Sequence, residues 1–122
     1  MKTYIATGRL PWGPLVQYEV DAEDGHHANL IARRVAHEHG HHGRVHFTSI
    51  EMREVQSSNL HRIGYDRRRR VLKIEFRGRK GEISRYSYAD INPRTYRELI
   101  AAESIGAYFN QRVRSREFTR EV

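Results

Sequence analysis

Residues 71–76, Val-Leu-Lys-Ile-Glu-Phe, restrict what this chain can fold into more than any other stretch. Leu72, Ile74 and Phe76 recur at every second position, so in an extended strand they share one face, while Val71, Lys73, Glu75 and Arg77 share the other. Helical spacing would scatter the same apolar residues around a cylinder. The following Arg-Gly-Arg-Lys-Gly-Glu, residues 77–82, supplies two glycines for a hairpin connection, and Ile83 to Tyr88 form the return strand with Tyr86 and Tyr88 on one face. Upstream, Leu60, Ile63 and Tyr65 indicate a further short strand whose phase is disturbed before Gly64. Downstream, Asn92 is placed to cap a helix with Pro93 at its first position, and Tyr96, Leu99 and Ile100 give that helix an apolar stripe. Ser104 and Gly106 interrupt it or start another helix, and Ile105, Phe109 and Val113 at i, i+4, i+8 mark a second helical face. The pattern over 57–122 is therefore βββαα.

The first part of the chain reads differently. Tyr4 and Ala6, then Val16, Tyr18 and Val20, alternate as two strands separated by a turn-forming segment around Trp12 that holds two glycines and two prolines. Ala28, Ile31, Ala32 and Val35 follow with helical spacing, with acidic residues before them, histidines after them, and Gly40 as a natural stop. Val45 and Phe47, then Ile50 and Met52, give a last strand with a change of phase. The result is a ββαβ module over 1–56. The fold class predicted for the chain is α+β, a ββαβ module followed by a βββαα module, with the boundary at the polar Ser57-Ser58-Asn59.

Charge separates the same two parts. Residues 1–56 hold six Lys/Arg against seven Asp/Glu, whereas residues 57–122 hold sixteen against eight, a surplus of +8. Seven of the eight histidines lie before position 57. The absence of cysteine excludes disulfides and thiolate metal sites. No run approaches the roughly 18–20 apolar residues of a membrane span, and the first ten residues lack the apolar core of a secretory signal, so a cytoplasmic location is expected.

A permanently charged, planar guanidinium suits phosphate, and each phosphate contact releases condensed counterions. Lys73, Arg77 and Arg85 are expected on the exposed face of the hairpin, Arg67, Arg68, Arg69 and Arg70 at its entrance, Arg79 and Lys80 at its tip, and Arg112, Arg114 and Arg116 near the end of the last helix. Two plainer readings stand beside this one: a charge run is often only solvated surface, and cations at a helix end also balance its dipole. Tyr86 and Tyr88 are the candidates for stacking on unpaired bases, but their phase with Leu72, Ile74 and Phe76 favours the core. Ser104 and Asn110 read as hydrogen bonders at the helix break. His37 and His41 have the i, i+4 spacing of helical metal ligands, yet Gly40 falls between them and no H-E-x-x-H pattern is completed, so no metal or other cofactor is expected.

Four segments, taken in order, resemble the KTSC domain: "IGYD" at 63–66, Tyr-x-Tyr at 86–88, "INPRTY" at 91–96 and "SIGAYFNQRVR" at 104–114. That small domain occurs at the C-terminus of some lysyl-tRNA synthetases and alone in bacterial and phage proteins. The resemblance spans 57–117 and implies a small α+β domain for which RNA binding is the usual suggestion. Asn92 and the arginine-rich lead-in at 67–70 depart from the family pattern. Residues 1–56 are faintly similar to LX-type ribosomal proteins through "TGR" at 7–9 and "EHGHHGRVHFTSIEMREV" at 38–55, which implies contact with RNA.

No phosphate-binding glycine loop, nucleophile elbow or apolar carboxylate pair is present, which argues against an enzyme. The expectation is a non-enzymatic nucleic-acid-binding protein with RNA or single strands favoured, because no recognition-helix motif for duplex DNA is visible. The alternative is a small interaction protein, of phage or mobile-element type, that meets an acidic protein partner or captures a small phosphorylated nucleotide.

Overall fold

The computed structural model describes residues 1–121, and the chain divides into two compact units, Met1–Met52 and Arg53–Val122. In the first unit, β1 (Lys2–Arg9) and β2 (Leu15–Ala22) form an antiparallel hairpin, α1 spans Gly25–Glu38, and β3 (Phe47–Glu51) returns to pair with β1, giving the order β2-β1-β3. This is the ββαβ arrangement that the alternation and helical spacing predict. Asp24 caps α1 by accepting a hydrogen bond from the His27 amide at 2.8 Å. Ala28, Ala32 and Ala36 are buried along α1, and such small side chains let a helix lie close to a sheet. Gly8 in β1 serves the same close packing, since a Cβ there would come within 2.8 Å of both the Phe47 ring and Val45.

In the second unit a five-stranded antiparallel sheet has the order β4-β5-β6-β7-β8, built from β4 (Arg53–Glu54), β5 (Leu60–Asp66), β6 (Val71–Arg77), β7 (Ile83–Tyr88) and β8 (Phe118–Arg120). Between β7 and β8 the chain forms α2 (Pro93–Ala101) and α3 (Ile105–Arg112). The expected βββαα core is present, with β4 and β8 added as short edges. The change of phase near Met52 marks the point where the chain leaves β3 and Arg53–Glu54 enters the second sheet. The disturbed phase of β5 is a register shift between Leu60 and Arg62, an irregularity that returns Ile63 and Tyr65 to the face of Leu60.

Both helix starts follow the sequence. Asn92 accepts from the Thr95 amide at 2.8 Å, and Ser104 accepts from the Ala107 amide at 3.2 Å. Leu60, Ile63, Leu72, Ile74 and Tyr88 on the sheet close one core with Ile91, Leu99, Phe109 and Val113. Ile100, expected in the stripe of α2, is instead exposed, and Thr95 and Leu99 are the buried residues of that helix. Gly106 allows the first turn of α3 to approach the Ser57–Asn59 turn, where a Cβ would lie 3.1 Å from Asn59 Oδ1.

Candidate functional site

The charged residues of β6 and β7 lie on the sheet face turned away from the helices, as their phase requires. That face is not the solvated phosphate surface expected from the sequence. Register brings Arg62, Glu75 and Arg85 side by side on three neighbouring strands. Arg62 donates from Nε to Glu75 Oε1 at 2.5 Å and from Nη2 to Oε2 at 2.9 Å, while Arg85 donates to Oε2 from Nε at 3.0 Å and from Nη2 at 2.7 Å. Glu75 is fully buried, and burial alone would raise its pKa. The hydrogen bonds and charges of Arg62 and Arg85 outweigh that effect and hold the carboxyl below its ordinary value.

Lys73 requires the same correction. It is 3% exposed and donates to Glu121 Oε1 at 2.6 Å and to Ser87 Oγ at 3.1 Å. Burial pushes its pKa down, and the neighbouring Glu121 carboxylate offsets part of that shift. Lys73 and Arg85 are thus internal ion-pair members, not exposed phosphate ligands. Their alternation with Leu72 and Tyr86 is real, but on the opposite face Lys73, Glu75 and Arg85 are ion-paired and largely withdrawn from water.

The other candidate cations stay at the surface. Arg67 to Arg70 form the β5–β6 turn, where Asp66 Oδ1 accepts from the Arg68 and Arg69 amides at 3.0 Å each and Arg70 adopts a left-handed φ of 58°. Arg69 also pairs with Asp66. Arg79 and Lys80 lie in the opposite turn, and Arg77 contacts His61 Nδ1 at 3.0 Å. The intervening β6 has seven residues, so at roughly 3.3 Å per residue the two turns are about 20 Å apart. Among the described residues, Arg67, Arg68, Arg70, Arg79, Lys80, Arg112, Arg114 and Arg116 make no ion pair.

On the helix-facing side, lined by residues of β6, β7, β8 and α3, lies a cleft of about 560 Å³. This is within the roughly 300–1,000 Å³ range of small-ligand sites. Phe76, Tyr86 and Phe118 form its walls, and the buried Tyr88 and Phe109 lie below them. Tyr86 contacts Phe76 and Phe118 with ring centroids 5.6 Å away in each case, and the Arg120 guanidinium lies 5.7 Å from the Tyr86 centroid. Asn110 and Arg114 bring polar groups to the rim. Burial raises the pKa of Tyr88 and nearby Tyr86 adds to the shift, whereas the positive charge of Arg114 opposes it.

The tyrosines therefore divide the two roles considered from sequence. Tyr88 belongs to the core, whereas Tyr86 is half-buried in a cleft wall. Ser104, expected to hydrogen-bond at the helix break, does so as the N-cap of α3, but Asn110 is exposed, lines the cleft and makes no side-chain hydrogen bond among the described residues. Phe118, absent from the sequence-derived candidates, is 53% exposed on β8. Its isolated Phe-Thr-Arg segment is too short for alternation to reveal.

Several histidines of the first unit make local contacts. His37 and His42 meet through their Nδ1 atoms at 3.3 Å, and His41 lies against Trp12 with ring centroids 6.2 Å apart. Among the described residues, no group of three or more His, Cys, Asp or Glu side chains is arranged to hold a metal. No helix among them is long and apolar enough to cross a membrane.

Residues 56–118 match the family model described as the KTSC domain. An uncharacterized protein of Stutzerimonas stutzeri is 37% identical over 57 residues, covering 47% of this chain and 75% of that protein. A protein of Tsukamurella paurometabola is 34% identical over 65 residues, covering 53% and 91%. The crystal structure of a KTSC domain protein from Yersinia pestis superposes with a TM-score of 0.53 at 26% identity, covering 60% of this chain and 99% of that one.

Proposed function

The chain belongs to the KTSC domain family, and we propose that it is a non-enzymatic nucleic-acid-binding protein that favours RNA or other single strands. The observation that carries this reading is the surplus of exposed, unpaired cations on the second unit, described above. Glu75 offsets one of the two charges of Arg62 and Arg85, and Glu121 offsets that of Lys73, and it is their burial in these ion pairs that withdraws the three side chains from binding. The positive charge left available lies in the two turns of the β5–β6–β7 meander and along the end of α3. Two turns about 20 Å apart suit an extended polyanion better than a compact one. In this reading the partner is a cytoplasmic nucleic acid, phosphates supply most of the affinity, and no catalytic group is required.

The test is binding of the purified, nuclease-treated chain to labelled single-stranded RNA, single-stranded DNA and duplexes of several lengths and at several salt concentrations. Affinity is expected to rise with strand length and fall steeply with salt. Replacing Arg67, Arg68, Arg69 and Arg70 with Ser should weaken binding for every sequence and reduce the single-strand salt slope by up to about 3, from a contribution near 0.7 per phosphate contact. Salt-independent binding, or none, would reject the proposal in favour of the acidic-partner reading.

A further inference from the structure

We infer that the cleft between β7, β8 and α3 holds one unpaired nucleobase, with the attached phosphate against Arg114. This rests on the nucleic-acid reading and specifies its recognition site. Three features lead to this occupant. The walls present flat aromatic surface: Phe118 is 53% exposed and Tyr86 half-buried, and unpaired bases stack on such rings irrespective of sequence. No carboxylate lines the cleft, and Arg114 has no acidic partner among the described residues, so the rim is complementary to an anion. Asn110 offers an amide with both donor and acceptor free, the group that pairs in bidentate fashion with base edges.

The shape also selects among nucleic acids. Tyr88 and Phe109, each 4% exposed, back the cleft, and the exposed aromatic surface beside them receives the face of one base turned out from a single strand. A base paired within a duplex cannot do this without unstacking. The cleft therefore supplies single-strand preference, while the separated arginine turns supply length-dependent affinity. An acidic peptide would satisfy Arg114 but would leave the aromatic walls without a planar partner.

The experiment titrates the isotope-labelled full chain with uridine and guanosine 5′-monophosphates, and with the corresponding nucleosides, by heteronuclear NMR. In parallel it measures single-stranded and duplex RNA binding for the wild type and for the double variant Asn110→Ala, Arg114→Gln. Both replaced side chains are exposed, and neither makes a hydrogen bond within the described residues, so the fold should persist; an unchanged amide spectrum elsewhere checks this. The nucleotides should shift amides of β7, β8 and α3, and the nucleosides should bind at least about tenfold more weakly once the phosphate contact is lost. The double variant should lose nucleotide binding about tenfold or more and bring the single-strand to duplex affinity ratio close to one.

Nucleotide shifts located elsewhere, or a double variant that retains both properties, would overturn the cleft assignment even if long RNA still binds. Nucleotide binding in the cleft without any binding to long strands would keep the pocket and reject the polymer function.

Discussion

Glu75→Ala is the most demanding perturbation of this fold, because one buried carboxylate holds two guanidiniums from the strands on either side. The variant removes two hydrogen bonds from Arg62 and two from Arg85, at 2.5–3.0 Å, from charged side chains that are each only 13% exposed. Breaking a buried ion pair from one side typically costs about 3–5 kcal/mol, most of it from the charge left without compensation. Against the roughly 5–15 kcal/mol that holds an ordinary domain together, this is a large fraction.

Since Trp12 is the sole tryptophan and lies in the first unit, its fluorescence does not report this loss. Native-state amide exchange of β5, β6 and β7 does, and their slowest amides should exchange about 100-fold faster or more, at 1.4 kcal/mol per decade. The pH dependence gives an independent sign. The Glu75 carboxyl is held below its ordinary value of 4.5, so its contribution is complete above that value and is lost as pH falls through the lower folded-state value. The gap between wild type and variant should therefore be widest near neutrality and close in acid. A difference below about 1 kcal/mol at pH 7, or one unchanged in acid, would refute the buried-triad reasoning.

Two further substitutions test the core and the helix start. Tyr88→Ala should cost about 3–5 kcal/mol by thermal or urea unfolding, as large aromatic truncations in cores do, and Tyr86→Ala should cost less because that ring is half-buried at the cleft. Equal costs would place both rings in the core. Asn92→Ala removes the side-chain acceptor of the Thr95 amide and should lower stability by about 1 kcal/mol, with faster amide exchange confined to the first turn of α2.

The parts of this structure visible in the sequence are those with local physical causes. Leu72, Ile74 and Phe76 declared a strand face, and Asn92 with Pro93 and Ser104 declared two helix starts, because alternation and capping involve residues within a few positions of each other. The misreadings of Lys73 and Arg85 have a single origin. Alternation reports which side chains share a face but not whether that face meets water, and the register that places Arg62 and Arg85 on either side of Glu75 joins three strands after a shift at Leu60 to Arg62. The cleft was hidden for a similar reason. It joins Tyr86 to Asn110, Arg114 and Phe118, and Phe118 belongs to a strand of three residues.

Strand register also divides the basic surplus of the second unit. A net charge of +8 over 57–122 counts every arginine alike, but the fold divides them by their access to carboxylates. Glu75 and Glu121 lie on the sheet face turned away from the helices, where they pair with Arg62, Arg85 and Lys73, while each turn keeps one carboxylate of its own, Asp66 and Glu82. The turns at 67–70 and 79–80 remain positive at opposite ends of β6. A stacked strand carries a phosphate about every 3.4 Å, so the separation of about 20 Å corresponds to roughly six phosphates. In the proposed nucleic-acid reading a dinucleotide would engage one turn or the cleft, whereas a strand longer than this would engage both turns at once. The increase in affinity with strand length should therefore be steepest near that span, where the second turn first comes within reach.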